Sequence, residues 1–187
     1  MIPATELKAS MAILSLLQQL DLALFDKVFG YSRDRYSITK AALAFSRSGD
    51  GYAQVLMPAI VWLSGSVLAP SYAYTLAVAF IFERLVYYVL KNTLKRLRPA
   101  DFKPSVHSLI TASDTFSFPS GHTSAAFCLS VVTLLVFGGA AALILAWAVT
   151  VGLSRVVVGV HFPGDIVAGA LMGSSVAFAT VLTLGLW

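Results

Sequence analysis

A histidine and an aspartate in the last third of the chain have the spacing of a catalytic pair. Asp165 follows His161 by four residues, and Arg155 precedes that histidine by six. A carboxylate so placed can accept a hydrogen bond from one ring nitrogen, which fixes the tautomer and raises the basicity of the other nitrogen. An arginine beside them can hold phosphate oxygens in a bidentate contact. The pattern favours phosphate chemistry, although a structural His–Asp pair that holds a loop has the same spacing.

A second histidine stands at the start of an apolar run. It ends the sequence Pro119, Ser120, Gly121, His122. Ser120 suits the N-cap of a helix, and Gly121 lets a backbone N–H approach a ligand closely. Because the N-terminus of a helix favours phosphate, His122 in the first turn would face the bound group. The alternative is a capped helix with an incidental histidine.

Two cations come earlier, at the end of another predicted helix. Lys91 and Arg98 are seven residues apart, so we expect both on one face of a helix that Pro99 ends. Cations on one face repel each other unless an anion lies between them. The alternative is a row of basic side chains that anchors the helix end at the membrane surface. Lys95 and Arg96 fit that anchoring role better than Lys91 and Arg98.

Glu83 and Arg84 lie inside the same predicted helix, and Arg84 continues the stripe that carries Lys91. Charged residues within a membrane span are candidates for a functional role, because placing a charge in the bilayer costs free energy. Neighbouring residues on a helix point in different directions, so the sequence leaves open whether these two pair.

The composition indicates a protein of the bilayer. Of 187 residues, 58% are hydrophobic and 12% charged, and the mean hydropathy is +0.81, whereas a soluble domain is about one quarter charged. The net charge of +4 comes from basic residues beside apolar runs, which favours anionic lipid headgroups over nucleic acid as partners. The single cysteine, Cys128, forms no intrachain disulfide, and the N-terminus lacks the pattern of a cleavable signal peptide.

Five apolar runs are long enough to predict transmembrane helices. They are residues 52–69, 72–93, 121–137, 139–157 and 163–186. The predicted fold is therefore an all-α integral-membrane helical bundle with about five transmembrane helices. Because successive helices alternate in direction, the ends of the second and fourth runs and the starts of the third and fifth share one membrane side. That side would collect both histidines, the cations and Asp165.

The N-terminal segment has a different character. Residues 10–29 predict an amphipathic helix in the membrane interface, because their glutamines and aspartates suit a spanning helix poorly. An ordinary first transmembrane helix is the alternative. Residues 31–50 are polar and end in a turn signal. We expect a single domain, residues 1–187, with an interfacial segment, 1–50, and a transmembrane catalytic bundle, 51–187.

Together, the three polar segments resemble the signature of the type 2 phosphatidic acid phosphatase family, which also includes soluble bacterial acid phosphatases and vanadium haloperoxidases. The resemblance implies that His161 is a nucleophile that forms a phosphohistidine. It implies that Asp165 orients this histidine and that His122 protonates the leaving lipid oxygen. It also implies catalysis without a metal ion or cofactor. The residues that would hold the phosphoryl oxygens are Lys91, Arg98, Ser120, Gly121 and Arg155.

The resemblance also bears on substrate and location. Candidate substrates are undecaprenyl diphosphate, phosphatidylglycerophosphate and phosphatidic acid, and segment 100–118, with His107 as a loop residue, would cover the site. It implies a bacterial inner membrane with the site on the outer face, although the basic residues on that side would favour the cytoplasm. The alternatives are a lipid phosphotransferase of the same fold and a non-catalytic membrane protein.

Overall fold

The computed structural model describes residues 4–185, with side chains from residue 15 onward apart from position 140. Its regular elements over that range are all helices, which confirms the expected all-α fold. The helices are α1 (Ala4–Arg33), α2 (Tyr36–Ser48), α3 (Tyr52–Leu63), α4 (Ala69–Leu94), α5 (Pro99–Phe102), α6 (Gly121–Phe137), a short 3₁₀ helix (Gly138–Ala141), α7 (Ala142–Val157) and α8 (Pro163–Leu184).

Two segments of the described chain are long and apolar enough to cross a membrane. They are residues 69–102, which include α4 and α5, and α8. Helices α3, α6 and α7 are also apolar but have only 12, 17 and 16 residues. Helix α3 is shorter than the predicted run because the chain turns at Ser64 and Gly65, where φ is +71°. The total of about five spans stays a prediction.

The centre of the bundle is the pair α6 and α8, whose backbones touch. A Cβ atom on Gly169 would lie 2.6 Å from the Ser120 carbonyl oxygen, and one on Gly173 would lie 2.1 Å from the Ser124 carbonyl oxygen. The Ser120 N–H also donates to the Asp165 carbonyl at 3.0 Å. These contacts hold the N-termini of both helices at one end of the bundle. The apolar core between α4, α6 and α8 consists of Tyr72, Leu76, Ala79, Cys128, Leu129, Val132, Ala177 and Val181.

The N-terminal helix packs against that same end. Helix α1 is longer than the predicted run 10–29, and it is followed by α2, which the polar composition of 31–50 did not indicate. Phe25 of α1 is fully buried, 5.3 Å from the ring of Phe162 between the ring centroids. Phe29 stacks on Phe25 at 5.2 Å. The position of α1 in the membrane interface stays a prediction, but its contact with the polar end of the bundle is part of the fold.

The end of α4 differs from the expectation. The helix stops at Leu94, and Lys95 adopts a left-handed conformation with φ 47° and ψ 40°. Arg98 therefore lies beyond the helix, and the prediction that it shares a helix face with Lys91 is wrong. Pro99 begins α5 instead of ending α4. The reason is local, because the left-handed turn at Lys95 redirects the chain before the proline is reached.

Candidate active site

A cavity of about 700 Å³ opens at the polar end of the bundle. Five of the predicted site residues line it, namely Arg98, Gly121, His122, Arg155 and His161. The three other predicted residues, Lys91, Ser120 and Asp165, are buried next to it. Segment 100–118 contributes Ile110, Thr111, Ser113 and Asp114 to the wall. The tertiary structure thus brings the three polar segments of the sequence to one place.

A carboxylate from the loop lies between the two cations that precede the site. Lys91 Nζ is 3.3 Å from Asp114 Oδ2, and Arg98 Nη2 donates to Asp114 Oδ1. The Tyr87 hydroxyl donates to the same carboxylate. Burial alone would raise the pKa of Asp114, but the Tyr87 hydrogen bond and the two cations outweigh it and lower the pKa. Asp114 is therefore an ionised carboxylate at a position that suits an anionic ligand.

Arg155 is a buried cation with an unused donor. The residue is only 3% exposed, and its Nη1 donates to the hydroxyl of Ser46 on α2. Its Nε has no hydrogen-bond partner among the described residues. Buried N–H groups almost always have a partner, and an unpaired one on a charged group is especially costly. An anion in the cavity would supply the partner that this donor lacks.

His161 lies in the connection between α7 and α8, almost fully buried. Its Nδ1 is 3.6 Å from Asp165 Oδ2, beyond hydrogen-bond range, and has no partner among the residues described. The predicted His161–Asp165 hydrogen bond is therefore not formed in this structure. The pKa of the imidazole falls from 6.5 to about 4, because burial disfavours the charged form more than Asp165 favours it. The ring is therefore neutral at physiological pH.

Asp165 is held by groups other than His161. Its Oδ2 accepts the Phe162 N–H at 2.8 Å, and its Oδ1 accepts Arg96 Nη1 at 2.9 Å. The Arg96 side chain also lies over the Phe162 ring, 4.3 Å from its centroid. The sequence favoured membrane anchoring for Arg96, so this contact was missed. The left-handed turn at Lys95 is what directs Arg96 towards α8.

Asp21 extends this arrangement to the N-terminal helix. It accepts Arg96 Nη2 on Oδ2, and its Oδ1 accepts the Gly164 N–H at 2.6 Å. Asp21 and Gly164 are 143 residues apart in the chain, and no local pattern in the sequence connects them. The one signal in the sequence that could have indicated these contacts was a polar residue, Asp21, on the buried side of an amphipathic helix.

His122 also has a carboxylate partner that the sequence did not indicate. Its Nε2 lies 2.7 Å from Asp50 Oδ1 in the turn between α2 and α3. Gly49, next to Asp50, packs closely against α7, since a Cβ atom there would lie 2.8 Å from Val151 Cγ1. The sequence predicted a turn at this position but gave it no role.

Ser120 and Gly121 behave differently from each other. Ser120 stands at the N-cap of α6 as predicted, but its hydroxyl accepts the Thr123 hydroxyl at 2.9 Å instead of capping a backbone N–H. A Cβ atom on Gly121 would lie 2.9 Å from the Tyr87 ring. Glycine is thus required at the entrance of α6, where Tyr87 packs against the backbone. Among the described residues, no group of three or more His, Cys, Asp or Glu side chains has the arrangement of a metal site.

Comparison with known proteins agrees with this geometry. The model of the PAP2 superfamily matches residues 71–186. An undecaprenyl-diphosphatase of Sulfolobus acidocaldarius is 37% identical over 57% of this chain and 52% of its own length. Phosphatidylglycerophosphatase B of Bacillus subtilis is 38% identical over 49% and 47%. The chain thus spans about half the length of these curated relatives.

Two solved structures cover more of the chain. The crystal structure of Aquifex aeolicus LpxE has a TM-score of 0.74 at 26% identity and covers 87% of this chain and 95% of that one. The PAP2-type phosphatidylglycerolphosphate phosphatase from Bacillus subtilis has a TM-score of 0.70 at 25% identity, with coverage of 91% and 87%. The likeness extends beyond the motif segments to most of the helical bundle.

Proposed function

Because the chain belongs to the PAP2 superfamily, we propose that it is a membrane lipid phosphatase that works through a phosphohistidine intermediate. The observation that carries this proposal is the unpaired Nε of buried Arg155, which lines the same cavity as neutral His161 and Arg98. Donors and cations arranged around one point, with a nucleophile beside it, are what phosphoryl transfer requires.

In the first step, a ring nitrogen of His161 bonds to phosphorus while the bond from phosphorus to the lipid oxygen breaks. The leaving oxygen keeps the electron pair and takes a proton from His122. A water molecule, deprotonated by His122, then attacks the phosphohistidine and releases inorganic phosphate and free His161. Asp165 stabilises the positive charge that develops on the histidine ring, and a modest approach closes the 3.6 Å gap between them.

The phosphoryl oxygens are held by the predicted cations and by the start of α6. Lys91, Arg98 and Arg155 supply positive charge, and the Gly121 N–H at the helix N-terminus adds a dipole. In this role the substrate phosphate takes the place that Asp114 occupies between Lys91 and Arg98. Ser120 contributes through its hydroxyl after its bond with Thr123 is rearranged. No metal ion takes part in these steps.

The substrate is a lipid phosphate with its tail in the bilayer. Relatives are named undecaprenyl-diphosphatase, phosphatidylglycerophosphatase B and lipid A 1-phosphatase, so the headgroup chemistry in the group is varied. We infer about five spans in one catalytic domain, with α3, α6 and α7 crossing beside the two longer segments. The N-terminal segment lies in the interface, and the site faces outward from the inner membrane.

The test is phosphate release by purified protein in detergent with EDTA present. Undecaprenyl diphosphate, phosphatidylglycerophosphate and phosphatidic acid are supplied in parallel. We expect EDTA-resistant phosphate release from at least one lipid. The rate of release should fall at least about a thousandfold in His161→Ala, because direct attack by water is much slower than attack by a positioned nucleophile. His107→Ala is the matched control, since His107 is an exposed loop residue outside the cavity.

A radiolabelled substrate supplies a second readout. Label retained on the wild-type protein after rapid denaturation in alkali, lost in acid and absent from His161→Ala is the expected behaviour of a phosphohistidine at His161. Release that needs a divalent metal, or that survives loss of His161, would overturn the proposed mechanism. Transfer of label to a second lipid in place of water would identify a phosphotransferase.

A further inference from the structure

Arg84 is a cation in the cavity to which the steps above give no role. It lies on the same side of α4 as Tyr87 and Lys91. Its guanidinium is 4.4 Å from the centroid of the Tyr87 ring, and Lys91 Nζ is 4.9 Å from the same centroid. One helical turn further into the bundle, Phe80 on α4 and Ala125 on α6 add apolar groups to the lining. Arg84 thus lies between the buried cations of the site and these apolar residues.

The side chain of Arg84 is held in place from one edge only. Its Nε and Nη2 donate to Glu83, which is fully buried and also accepts the Ser124 hydroxyl. Nη2 donates to the Gly121 carbonyl as well, at 3.3 Å. These contacts use three of the five N–H donors of a guanidinium, and 48% of the side chain stays exposed. Donors therefore remain for a ligand.

A buried acid and a half-exposed arginine are an expensive pair inside an apolar span. Two apolar residues would fill the same place in the helix at lower cost. The pair is explained if Glu83 and Ser124 fix the orientation of Arg84 so that its guanidinium can bind a ligand in the cavity.

The contact with Gly121 places Arg84 beside the start of α6, which also carries His122. Gly121 precedes His122, to which we assign protonation of the leaving oxygen, whereas the nucleophile His161 stands in a different connection, between α7 and α8. Seven residues of α4 separate Arg84 from Lys91, a rise of about 10 Å towards the apolar end of the cavity. A lipid bound with its terminal phosphate among Lys91, Arg98 and Arg155 would pass Arg84 on the way to its tail.

We propose that Arg84 binds a second phosphate carried by the leaving group of the lipid substrate. This inference rests on the proposed phosphatase function. When the bond from the terminal phosphorus to the leaving oxygen breaks, that oxygen takes the electron pair and stays negative until His122 protonates it. In a diphosphate the leaving oxygen belongs to the second phosphate, and a fixed guanidinium beside it stabilises the transition state more than the bound substrate, which raises the rate. In phosphatidylglycerophosphate the leaving oxygen belongs to the glycerol, and Arg84 binds the second phosphate as part of the substrate headgroup. A lipid without a second phosphate gains little from Arg84.

Two headgroups have this chemistry. A polyprenyl diphosphate carries the second phosphate directly on the bridging oxygen, and phosphatidylglycerophosphate carries it one glycerol unit away. Two matched substrate pairs separate them, namely farnesyl diphosphate against farnesyl monophosphate, and phosphatidylglycerophosphate against phosphatidic acid. Within each pair, the apolar part is kept closely similar and a second phosphate is present or absent.

The experiment measures kcat/KM of the wild type and of Arg84→Gln for all four lipids in detergent. We expect the two-phosphate to one-phosphate ratio to fall about tenfold or more in at least one pair, as loss of a charged hydrogen bond predicts. Arg84→Lys should recover part of the ratio, and Arg35→Gln, an exposed arginine outside the cavity, should not change it.

A ratio within one protein does not depend on the folded fraction, so partial unfolding does not imitate the effect. The double variant Glu83→Gln with Arg84→Gln removes both charges, leaves no uncompensated acid, and should give the same fall. If the kcat/KM ratio falls only in the farnesyl pair, the ligand of Arg84 is the second phosphate of a diphosphate. If it falls only in the phosphatidylglycerophosphate pair, the ligand is a phosphate separated from the first by glycerol. Unchanged ratios in both pairs would overturn the Arg84 site while the phosphatase function stands. A wild type inactive on all four lipids would instead overturn the proposed function.

Discussion

The two histidines of the cavity stand in opposite surroundings. The His161 side chain is 3% exposed, and Asp165 beside it is fully buried and tied to Arg96 and a backbone N–H. The His122 side chain is 22% exposed, and its partner Asp50, in a surface turn, is 45% exposed. The side of His161, the proposed nucleophile, is closed and is supported by α1, whereas the side of His122, the proposed acid, is open and is faced by carboxylates on loops.

The difference corresponds to two chemical demands. A nucleophile must be neutral and correctly oriented before the substrate arrives, which burial and fixed partners provide. On the proposed acid side a lipid headgroup would have to enter, so the contacts there have to be exchangeable. Asp50 contacts His122, and Asp114 contacts Lys91 and Arg98. In the proposed mechanism, a phosphate takes over both sets of contacts.

Among these variants, removal of Arg96 should have the largest effect on the closed side of the cavity. Arg96→Ala should lower kcat about 10-fold to 100-fold with little change in KM, because Asp165 loses a charged hydrogen bond worth about 1.5–3 kcal/mol. Arg96→Lys keeps a positive charge near Asp165 and should recover part of kcat. A merely structural role of Arg96 does not predict this recovery. The readout is steady-state kinetics on the best lipid substrate.

Asp21 extends that test to the N-terminal helix, with a matched control on the same helix. Asp21→Asn should lower kcat in the same direction but less than Arg96→Ala, since it acts through Arg96 and Gly164. Asp26→Asn breaks the surface pair of α1 with Lys103 and should leave kcat unchanged. Equal losses in both variants would mean that α1 matters only for packing.

A pH titration tests whether burial keeps His161 neutral. With a pKa of about 4 instead of 6.5, the neutral fraction of His161 at pH 5.5 is about tenfold larger than for an ordinary histidine. The unfolded chain takes up this proton first as pH falls below 6.5, so the histidine lowers folding stability progressively between pH 6.5 and 4. Histidine-labelled NMR of the protein measures the ring directly, since the chain has three histidines and single variants assign them. A midpoint near 6.5 would contradict the closed surroundings.

Asp114→Asn tests the exchangeable character of the open side. If Asp114 competes with phosphate for Lys91 and Arg98, its removal should strengthen inhibition by inorganic phosphate about threefold to fivefold. A partly exposed ion pair is worth up to about 1 kcal/mol, which corresponds to that factor. Weaker inhibition in the variant would mean that Asp114 holds the cations in place for the substrate.

The smallest effect is expected at the turn that delivers Arg96 to the closed side. Lys95→Gly should raise the melting temperature slightly, because glycine adopts φ 47° without the strain of about 1 kcal/mol that a side chain incurs there. Activity should not change, since the turn is retained. Lys95→Ala removes the same charge but keeps the strain, and it should not raise the melting temperature.

Much of the helical framework was predictable, because its signals are local. The run 121–137 coincides with α6, and Pro163 begins α8 as its fixed φ favours. The motif residues Arg98, His122, Arg155 and His161 were also named from the sequence, and they line one cavity. Apolar runs, prolines and glycines act on their own neighbourhood, so they can be interpreted without knowledge of the fold.

The partners of those residues were decided by the tertiary structure. Asp21, Asp50 and Asp114 lie far along the chain from the groups they contact, and only the packing of α1, of the turn before α3 and of the loop before α6 brings them there. Lys91 and Arg98 show the limit of local reasoning, since they meet at Asp114 although a left-handed residue separates them from a common helix face. The sequence determined the groups to which we assign the chemistry. Helix packing determined which side chains hold them, because such contacts depend on distances that no local pattern encodes.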